Sequence, residues 1–401
     1  MLLDQIAARG AEAAVANLSE LDTVDPVWTK LVRLRAPRFG NLEWTNTHRH
    51  KFLWEDVMKI FRKVVGTVAV AGILLSAAVT TAAAQDKGSI VSFNGPAGEA
   101  YIGRFIKGLK ETAELKGYDI KVFENQFNQA EQDQQVQQVL AAGQLPDVFI
   151  WWPSDAVAGL GSLRALAKTG VPVLKINQLP NEQDEQYIFG YAGPDDRLRA
   201  RNAGYMMREA AAAKKAAGGE GYNVLVLSYP HSYGGYGLSI NAFNEAIAGS
   251  DLKVIGDVDE GFGQANGYKG AAKAIAAMRD EGIHFVYGMD DAILTGGIKA
   301  LEEAGYVMGE DVIAVGTVCN GDKQLIEEGK QFGTTLQSPL HEGQLAIAMV
   351  EEYLATGALA NYINFTPNPA VTATNIDTVA LRGYDGKLYG IDELCSGAWG
   401  G

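Results

Sequence analysis

The chain has 401 residues and a formal net charge of −14, from 34 Lys and Arg against 48 Asp and Glu. An acidic chain of this kind argues against nucleic acid or an anionic membrane surface as a partner. Its length allows two domains of about 150 residues, each large enough to bury its own core.

A secretory signal lies inside the chain. A basic segment, 58–63, precedes an apolar run over 64–79, and small residues follow up to Ala84. The apolar run is short for a membrane span, and small residues at positions −3 and −1 are typical of a signal-peptidase cleavage site. We therefore expect 58–84 to be a cleaved signal peptide. The exported protein would lie in the periplasm with no stable membrane insertion.

The mature protein is expected to begin at or near Gln85, and translation to begin at Met58, because a signal peptide acts at the amino terminus of a nascent chain. Amino-terminal sequencing of protein from the periplasm checks this. Recovery of exported protein that still carries residues 1–57 would contradict it.

Residues 1–57 have no sustained helical or strand periodicity. They contain Trp28, Trp44, Trp54 and the cluster His48-Arg49-His50. A metal or nucleic-acid site is one interpretation of this cluster. We favour the other, that 1–57 is an upstream extension translated from a mis-assigned start.

From Lys87 onward, short β-branched segments alternate with amphipathic ones. The predicted strands are 89–93, 120–123, 148–152, 171–176, 223–228, 253–258, 285–287, 312–316 and 332–336. The predicted helices are 100–116, 130–142, 156–168, 199–213, 238–248, 267–279, 292–304, 323–328 and 343–355. This alternation, with a break near Gly193-Pro194, predicts an α/β fold whose parallel sheets are covered by helices on both faces.

One unit occurs twice in the chain. Residues 149–156 and 285–292 both consist of a buried strand, a short loop and an acidic residue before an alanine. Asp155 and Asp291 are predicted to cap the following helices. Two similar lobes are therefore expected, with the ligand site beyond the carboxyl ends of their strands.

Several segments carry a family resemblance through their order and spacing. They are 101–109 with 116–118, 170–174, 300–305 and 329–339. On these segments the chain resembles periplasmic sugar-binding proteins of the ribose/galactose type, which have the type I periplasmic binding protein fold.

The resemblance implies two lobes joined by a three-strand hinge, and delivery of the ligand to the permease of an ABC importer. We expect the first lobe to comprise 85–193 and 338–366, and the second 194–337 and 367–401. A monomer without enzymatic activity, cofactor or metal is expected.

The resemblance also implies ligand-binding residues. Those at matching positions are Glu99, Tyr101, Trp152, Phe262, Asp290 and Gln337. Asn177 and Gln178 stand where ribose-like members have an Asp-Arg pair. The family's loop arginine is missing from 231–237, where His231 precedes the glycine-rich loop 233–237 and Tyr236 lies within it. Because amides carry no net charge, we expect a neutral sugar or polyol. A lone carboxylate, Asp290 or Glu99, would alternatively bind an amine.

Trp151 and Trp152 point to opposite faces if the strand continues through them. At most one of them should therefore face the ligand. The sequence favours Trp152 for the ligand and core packing for Trp151.

The sequence after Ala84 gives little indication of a metal site or of a catalytic site. His231, His284 and His341 match no zinc spacing, and there is no Gly-x-Ser-x-Gly motif. Cys319 and Cys395 are either a disulfide or two buried thiols. Two further functions stay open at this point: a ligand-sensing component that acts on a chemoreceptor or histidine kinase, and a secreted hydrolase.

Overall fold

The computed structural model of the chain describes residues 87–278 and 280–399. The predicted signal peptide and the extension 1–57 lie outside these residues. Among the described residues, no helix is both long and apolar enough to cross a bilayer.

The first part of the chain alternates strands and helices. These are β1 Ser89–Asn94, α1 Ala100–Lys116, β2 Asp119–Glu124, α2 Gln129–Ala141, β3 Val148–Trp151, α3 Leu160–Ala167, β4 Val173–Ile176 and β5 Gly190–Gly193.

The second part repeats this alternation. Its elements are α4 Asp196–Ala216, β6 Asn223–Leu227, α5 Tyr236–Ile247, β7 Lys253–Val258, α6 Gln264–Ala277, β8 Phe285–Gly288, α7 Asp291–Glu303, β9 Ile313–Val315, α8 Lys323–Glu327 and β10 Gln331–Thr335.

The last part of the chain adds a strand to each of the two sheets described below. It contains α9 Pro339–Thr356, β11 Ile363–Phe365, β12 Ala370–Thr372, β13 Ala380–Arg382, β14 Leu388–Gly390 and α10 Ile391–Leu394.

Twelve of the strands form two sheets of six, and β13 and β14 form a separate antiparallel pair. The first has the order β11-β5-β4-β3-β1-β2 and is parallel throughout. The second has the order β12-β10-β9-β8-β6-β7, in which only the pairing of β12 with β10 is antiparallel. We call the first sheet with its helices lobe 1 and the second lobe 2. The predicted two-lobed α/β class is confirmed.

The chain crosses between the lobes at three places. It passes from β5 to α4 through Pro194, from β10 to α9 through 336–338, and from β11 to β12 through 366–369. Three short crossings are the hinge arrangement that the family resemblance implied. We retain 85–193 with 338–366, and 194–337 with 367–401, as the proposed lobe boundaries.

Close helix packing in lobe 2 depends on glycine. A Cβ on Gly296 of α7 would lie 1.9 Å from the carbonyl oxygen of Gln264, and one on Gly267 of α6 would lie 2.0 Å from that of Ile293. Either side chain would push the two helices apart. Because α7 begins at the cavity described below, this packing fixes the position of its first turn.

Two differences from the predicted elements have local causes. β5 was not predicted, because Gly190-Tyr-Ala-Gly193 contains no β-branched residue and two glycines. The predicted helix 156–168 begins only at Leu160. Asp155 accepts hydrogen bonds from the amides of Val157 and Ala158 and so closes a turn before that helix.

Cys319 and Cys395 are joined by a disulfide, with their Cα atoms 5.3 Å apart. Both residues are fully buried. The bond connects the loop after β9 to the end of the chain.

Candidate functional site

A cavity of about 600 Å³ lies at the carboxyl ends of strands from both lobes. Its lining includes Glu99, Tyr101, Phe127, Trp152, Asn177 and Gln178 from lobe 1, and Arg199, Tyr229, Tyr233, Phe262, Asp290 and Asn320 from lobe 2. Gln337, on the second crossing, also lines it. This volume is within the range of small-molecule sites.

The cavity brings together eight of the residues that the sequence singled out. They are Glu99, Tyr101, Trp152, Asn177, Gln178, Phe262, Asp290 and Gln337. The structure does not bring His231 and Tyr236 into this lining. The hydroxyl of Tyr236 donates to Asp257 Oδ2 at 2.7 Å, and its ring stacks on His231 with centroids 4.2 Å apart. The rings of His231 and Tyr236 therefore stack on each other outside the cavity. Tyr233, which lies between them in the sequence, lines the cavity instead.

Each lobe contributes an aromatic wall. In lobe 1 the ring of Trp152 lies edge-on to Tyr101, with centroids 6.2 Å apart. In lobe 2 the rings of Tyr229, Tyr233 and Phe262 form a triangle with every centroid separation at 5.3 Å. Aromatic faces pack well on the C–H faces of a ring-shaped ligand.

The neighbouring tryptophans divide as expected from strand geometry. Trp151 is 1% exposed and packs edge-on against Phe93 in the core of lobe 1, with centroids 5.7 Å apart. Trp152 lines the cavity, yet it is only 8% exposed and also packs on Phe105, with centroids 5.4 Å apart. Trp152 therefore serves the cavity and the core together.

An arginine on the first turn of α4 organises the lobe 2 side. Arg199 forms an ion pair with Asp196, with Nη2 2.6 Å from Oδ1. Its Nη1 donates to the hydroxyl of Tyr229 at 2.9 Å and to Oε1 of Gln337 at 2.6 Å. All four residues line the cavity. The family's loop arginine is absent from the sequence, but the helix supplies a guanidinium, so the cavity is not lined by amides alone.

The same hydrogen-bonded network continues into lobe 1. Gln337 Nε2 donates to the hydroxyl of Tyr101 at 2.7 Å, and that hydroxyl donates to Glu342 Oε2 at 2.6 Å. Asn177 Nδ2 donates to the same carboxyl oxygen at 3.2 Å, and Asn177 Oδ1 accepts from the hydroxyl of Tyr233 at 3.1 Å. The network thus links the lobes across the hinge behind the ligand space.

Sequence reasoning missed Asp196, Arg199 and Glu342. The pair Asp196 and Arg199 has the i,i+3 spacing that places two side chains on one helix face. That spacing, directly after the predicted break at Gly193-Pro194, was the available signal. Glu342 gave none, because an acid in the first turn of a helix is common on protein surfaces.

Asp290 has two roles, in the cavity lining and as a helix cap, and Asp291 does not have the capping role expected for it. Asp290 is the residue that caps α7, since its Oδ1 accepts from the amide of Ile293 at 2.7 Å. The prediction that Asp291 caps this helix is wrong. Asp291 instead accepts from the side chains of Gln331, at 2.8 Å, and Thr334. Because Asp290 caps with one oxygen and lines the cavity, its second oxygen is available to a ligand.

Unusual backbone conformations concentrate at the cavity. Among the described residues, the non-glycine residues with positive φ are Phe127 at 53°, Asn177 at 63°, Val318 at 81° and Cys319 at 49°. The first three line the cavity, and Cys319 is adjacent. Such conformations cost about 1–3 kcal/mol each and cluster at functional sites. A β-branched residue such as Val318 is the most strained of them.

Four buried carboxyl groups in and beside the cavity have raised pKa values. Burial raises the pKa of Asp196 and of Asp290 to about 6, and that of Asp291 and of Glu342 to about 8. Hydrogen bonds from Tyr101 and Asn177 oppose the shift at Glu342 without cancelling it. The Glu342 carboxyl therefore holds its proton near neutral pH.

The free energy of unfolding is expected to fall as the pH rises from about 4.5 to about 8, the ordinary and the folded pKa of Glu342. Over this range the folded protein keeps the Glu342 proton while the unfolded chain releases it, so deprotonation favours unfolding. Glu342→Gln should reduce this dependence by the part that Glu342 contributes, on the order of a few kcal/mol, while the part from Asp196, Asp290 and Asp291 remains. Urea unfolding at pH 5 and pH 8 measures it.

Glu351→Gln is the matched control on the same helix. Ion pairs with Lys87 and Lys116, at 2.9 and 2.7 Å, lower the pKa of Glu351, so its proton is already lost above pH 5. This variant should keep the wild-type difference between pH 5 and pH 8. An equal pH dependence in wild type and Glu342→Gln would contradict the assignment.

The described residues contain no group of three or more His, Cys, Asp or Glu side chains that could hold a metal ion.

The sequence profile described as "Periplasmic binding protein domain" matches residues 90–358. The chain belongs to this family. Residues 90–358 include the hinge crossings through Pro194 and 336–338 and every cavity residue named above. The family is one of binding proteins, in agreement with the expectation that the chain is not an enzyme.

Curated relatives agree with the family match. The chain is 23% identical over 248 residues to the ribose import binding proteins RbsB of Salmonella typhimurium strain LT2 and of Escherichia coli strain K12. In both cases the similarity covers 62% of this chain and 78% of the relative.

Solved structures share the fold. A galactofuranose binding protein superposes with a TM-score of 0.63 at 20% identity, covering 71% of this chain and 95% of that one. The Caulobacter myo-inositol binding protein gives a TM-score of 0.61 at 17% identity, covering 73% and 95%. The type I periplasmic binding protein fold is therefore confirmed.

Proposed function

We propose that this protein is a periplasmic solute-binding protein that captures a small neutral sugar or polyol between its lobes and delivers it to the permease of an ABC importer. The observation that carries the proposal is the cavity, which has an aromatic wall on each lobe and hydrogen-bonding groups between them. Such a site holds the C–H faces of a ring and pairs with its hydroxyls.

The names of similar proteins support this ligand class. The curated relatives are ribose import binding proteins, and the structural neighbours are named for galactofuranose and myo-inositol. All three are neutral polyhydroxylated compounds. We therefore propose that this chain binds such a compound for import. It would act as a monomer in the periplasm after export through the signal peptide.

The mechanism that we propose is closure of the lobes about the three crossings. Trp152 and Asn177 lie on lobe 1, whereas Phe262 and Asp290 lie on lobe 2. A ligand that contacts both sets favours the closed state, because its contacts are complete only there. The closed form is the form that a membrane partner would recognise.

The charge of the lining favours uncharged ligands over anions. Glu99, Asp155, Asp196 and Asp290 line the cavity, whereas Arg199 is the guanidinium there and is paired with Asp196. A uronic or aldonic acid would meet unpaired carboxylates without a free cation. Unlike charge pairing, hydroxyl recognition needs only the acceptor oxygens and amides that are present.

A thermal-shift screen tests the proposal. Sugars, polyols and their acids would each be added to purified protein. A neutral sugar or polyol at one hundred times its dissociation constant should add about 2.7 kcal/mol to the free energy of unfolding. Stabilisation by the acids alone would contradict the ligand class, and stabilisation by amines alone would point to a cationic ligand held by Asp290 or Glu99.

Asp290→Asn is expected to weaken binding of the ligand from this screen by about 1.5–3 kcal/mol, because a charged acceptor for a ligand hydroxyl becomes neutral. Asparagine still caps helices, so the melting temperature of the free protein should change little. Calorimetric titration measures the affinity. Asp322→Asn, at the cap of α8, is the control and should bind as wild type does. Equal affinity of Asp290→Asn and Asp322→Asn would exclude Asp290 from the site.

A further inference from the structure

The end of the chain forms a separate structure that touches both lobes. We call residues 376–399 the clasp; it contains β13, β14 and α10. These residues follow the third crossing and lie beyond the family match, which ends at residue 358. None of the cavity residues named above belongs to the clasp.

The clasp is fixed to lobe 2 covalently and through apolar packing. Cys395 is bonded to Cys319. The amide of Ser396 donates to the carbonyl of Cys319 at 3.0 Å, and that of Ala398 donates to the carbonyl of Gly321 at 2.9 Å. Buried clasp residues pack with three residues of lobe 2 and the crossings. This cluster contains Ile376, Ile391, Leu394 and Trp399 of the clasp together with Ile326, Leu336 and Val371.

The contacts of the clasp with lobe 1 are hydrogen bonds and one ring contact, between Tyr384 and His341 with centroids 5.6 Å apart. Nη1 of Arg104, on α1, donates to the carbonyls of Asp392 and Glu393 at 2.8 and 3.0 Å, and also to that of Cys395. A cation at the carboxyl end of a helix satisfies its free carbonyls. Arg104 thus caps the short helix α10 from the other lobe.

Helix α9 of lobe 1 supplies the remaining contacts. His341 Nε2 lies 2.8 Å from the carbonyl oxygen of Arg382. Gln344 Nε2 donates to the hydroxyl of Tyr389 at 3.3 Å, and its Oε1 accepts from the amide of Tyr384 at 3.1 Å. The two attachments therefore differ in kind. The bond to lobe 2 is permanent, whereas the hydrogen bonds to lobe 1 can break and re-form.

The permanent anchor is next to the ligand space. Val318 and Asn320, on either side of Cys319, both line the cavity. Val318 and Cys319 have φ values of 81° and 49°, which the chain holds only where its surroundings enforce them. Val318 also packs in the hydrophobic core of lobe 1. The disulfide therefore attaches the clasp to the residue between two cavity residues.

We propose that the clasp is an interlobe positioning element, which limits how far the lobes open in the unliganded protein and holds the loop 317–320 in its ligand-contacting conformation. Arg104 is the positioning residue on lobe 1. The proposal rests on the proposed closure of the lobes. It does not depend on which compound is bound.

The test measures the lobes without ligand. Spin labels would be attached through K168C in lobe 1 and N241C in lobe 2, both at exposed positions, in protein whose native cysteines are paired. Electron–electron distance measurements would compare wild type, R104A, R104K and K107A. Lys107 lies on the same helix as Arg104 and has an ion pair only with Glu111, at 4.0 Å, among the described residues.

R104A should shift the distance distribution of the unliganded protein to longer values, R104K should partly restore it, and K107A should match wild type. A smaller closed fraction also lowers apparent affinity, by about three- to tenfold for the compound from the screen. Identical distance distributions in R104A, K107A and wild type would overturn the proposal. Because the distances are measured without ligand, failure of the sugar proposal would leave this result unaffected.

Discussion

Replacing Trp152 by alanine is expected to weaken ligand binding by about 1–3 kcal/mol, the range known for aromatic stacking on a planar ring and an upper guide for a sugar. The indole forms part of the aromatic wall of lobe 1, beside Tyr101. Calorimetric titration with the compound from the thermal-shift screen measures the loss.

The same substitution should lower the stability of the free protein. From the sequence, a cleft residue is expected to be dispensable for folding. The structure corrects this, because Trp152 is 8% exposed and packs on Phe105. Removing a buried tryptophan costs about 3–5 kcal/mol. Urea unfolding should therefore show a clear decrease in the free energy of unfolding.

Trp151→Ala is the matched control for separating the two effects. Trp151 belongs to the core on the opposite face of the same strand end and does not line the cavity. Its loss should lower stability by a similar amount while the affinity of the folded protein stays as in wild type. Equal affinities for the two variants would mean that Trp152 does not contact the ligand.

Removing the disulfide should also lower the stability of the protein strongly. The bond between Cys319 and Cys395 closes a loop with a sequence separation of 76 residues. In the chain-entropy model, such a loop contributes about 4 kcal/mol by restricting the unfolded chain. The double variant Cys319→Ser with Cys395→Ser is expected to lose about this amount in chemical denaturation.

The state of the cysteines can be checked independently. Mass spectrometry after alkylation should find no reactive thiol in native protein without reductant, and two after reduction. Alkylation of both cysteines in unreduced native protein would exclude the bond. A double variant as stable as wild type would show that the closed loop contributes nothing.

The sequence predicted the elements that have strong local patterns. The helix 100–116 was predicted with its observed limits, because its apolar residues recur at helical spacing and Gly117 ends it in a left-handed conformation. The strand 253–258 was also predicted with its observed limits. Elements whose stability comes from neighbouring strands escaped prediction. β11 and β12 are short, and their pairing partners are distant in sequence. β5 has only the weak local pattern described above.

The cavity residues on loops after strands could be predicted because parallel strands end at one edge of a sheet. The helix residue Tyr101 was identified only through the family resemblance, and Arg199 and Glu342 were missed. Arg199 reaches the cavity, and Glu342 the network behind it, only through the way α4 and α9 pack at the hinge. Tyr236 shows the converse. Its position in the glycine-rich loop suggested a ligand contact, yet a nearby acceptor, Asp257, turns its hydroxyl away.

The most direct test of the proposed function is a crystal structure of the protein grown with the compound from the thermal-shift screen. The crystal should contain one neutral sugar or polyol between the lobes, in contact with Trp152 of lobe 1 and with the free carboxyl oxygen of Asp290 of lobe 2. Density for the compound on one lobe only, or outside the cavity that these residues line, would contradict it.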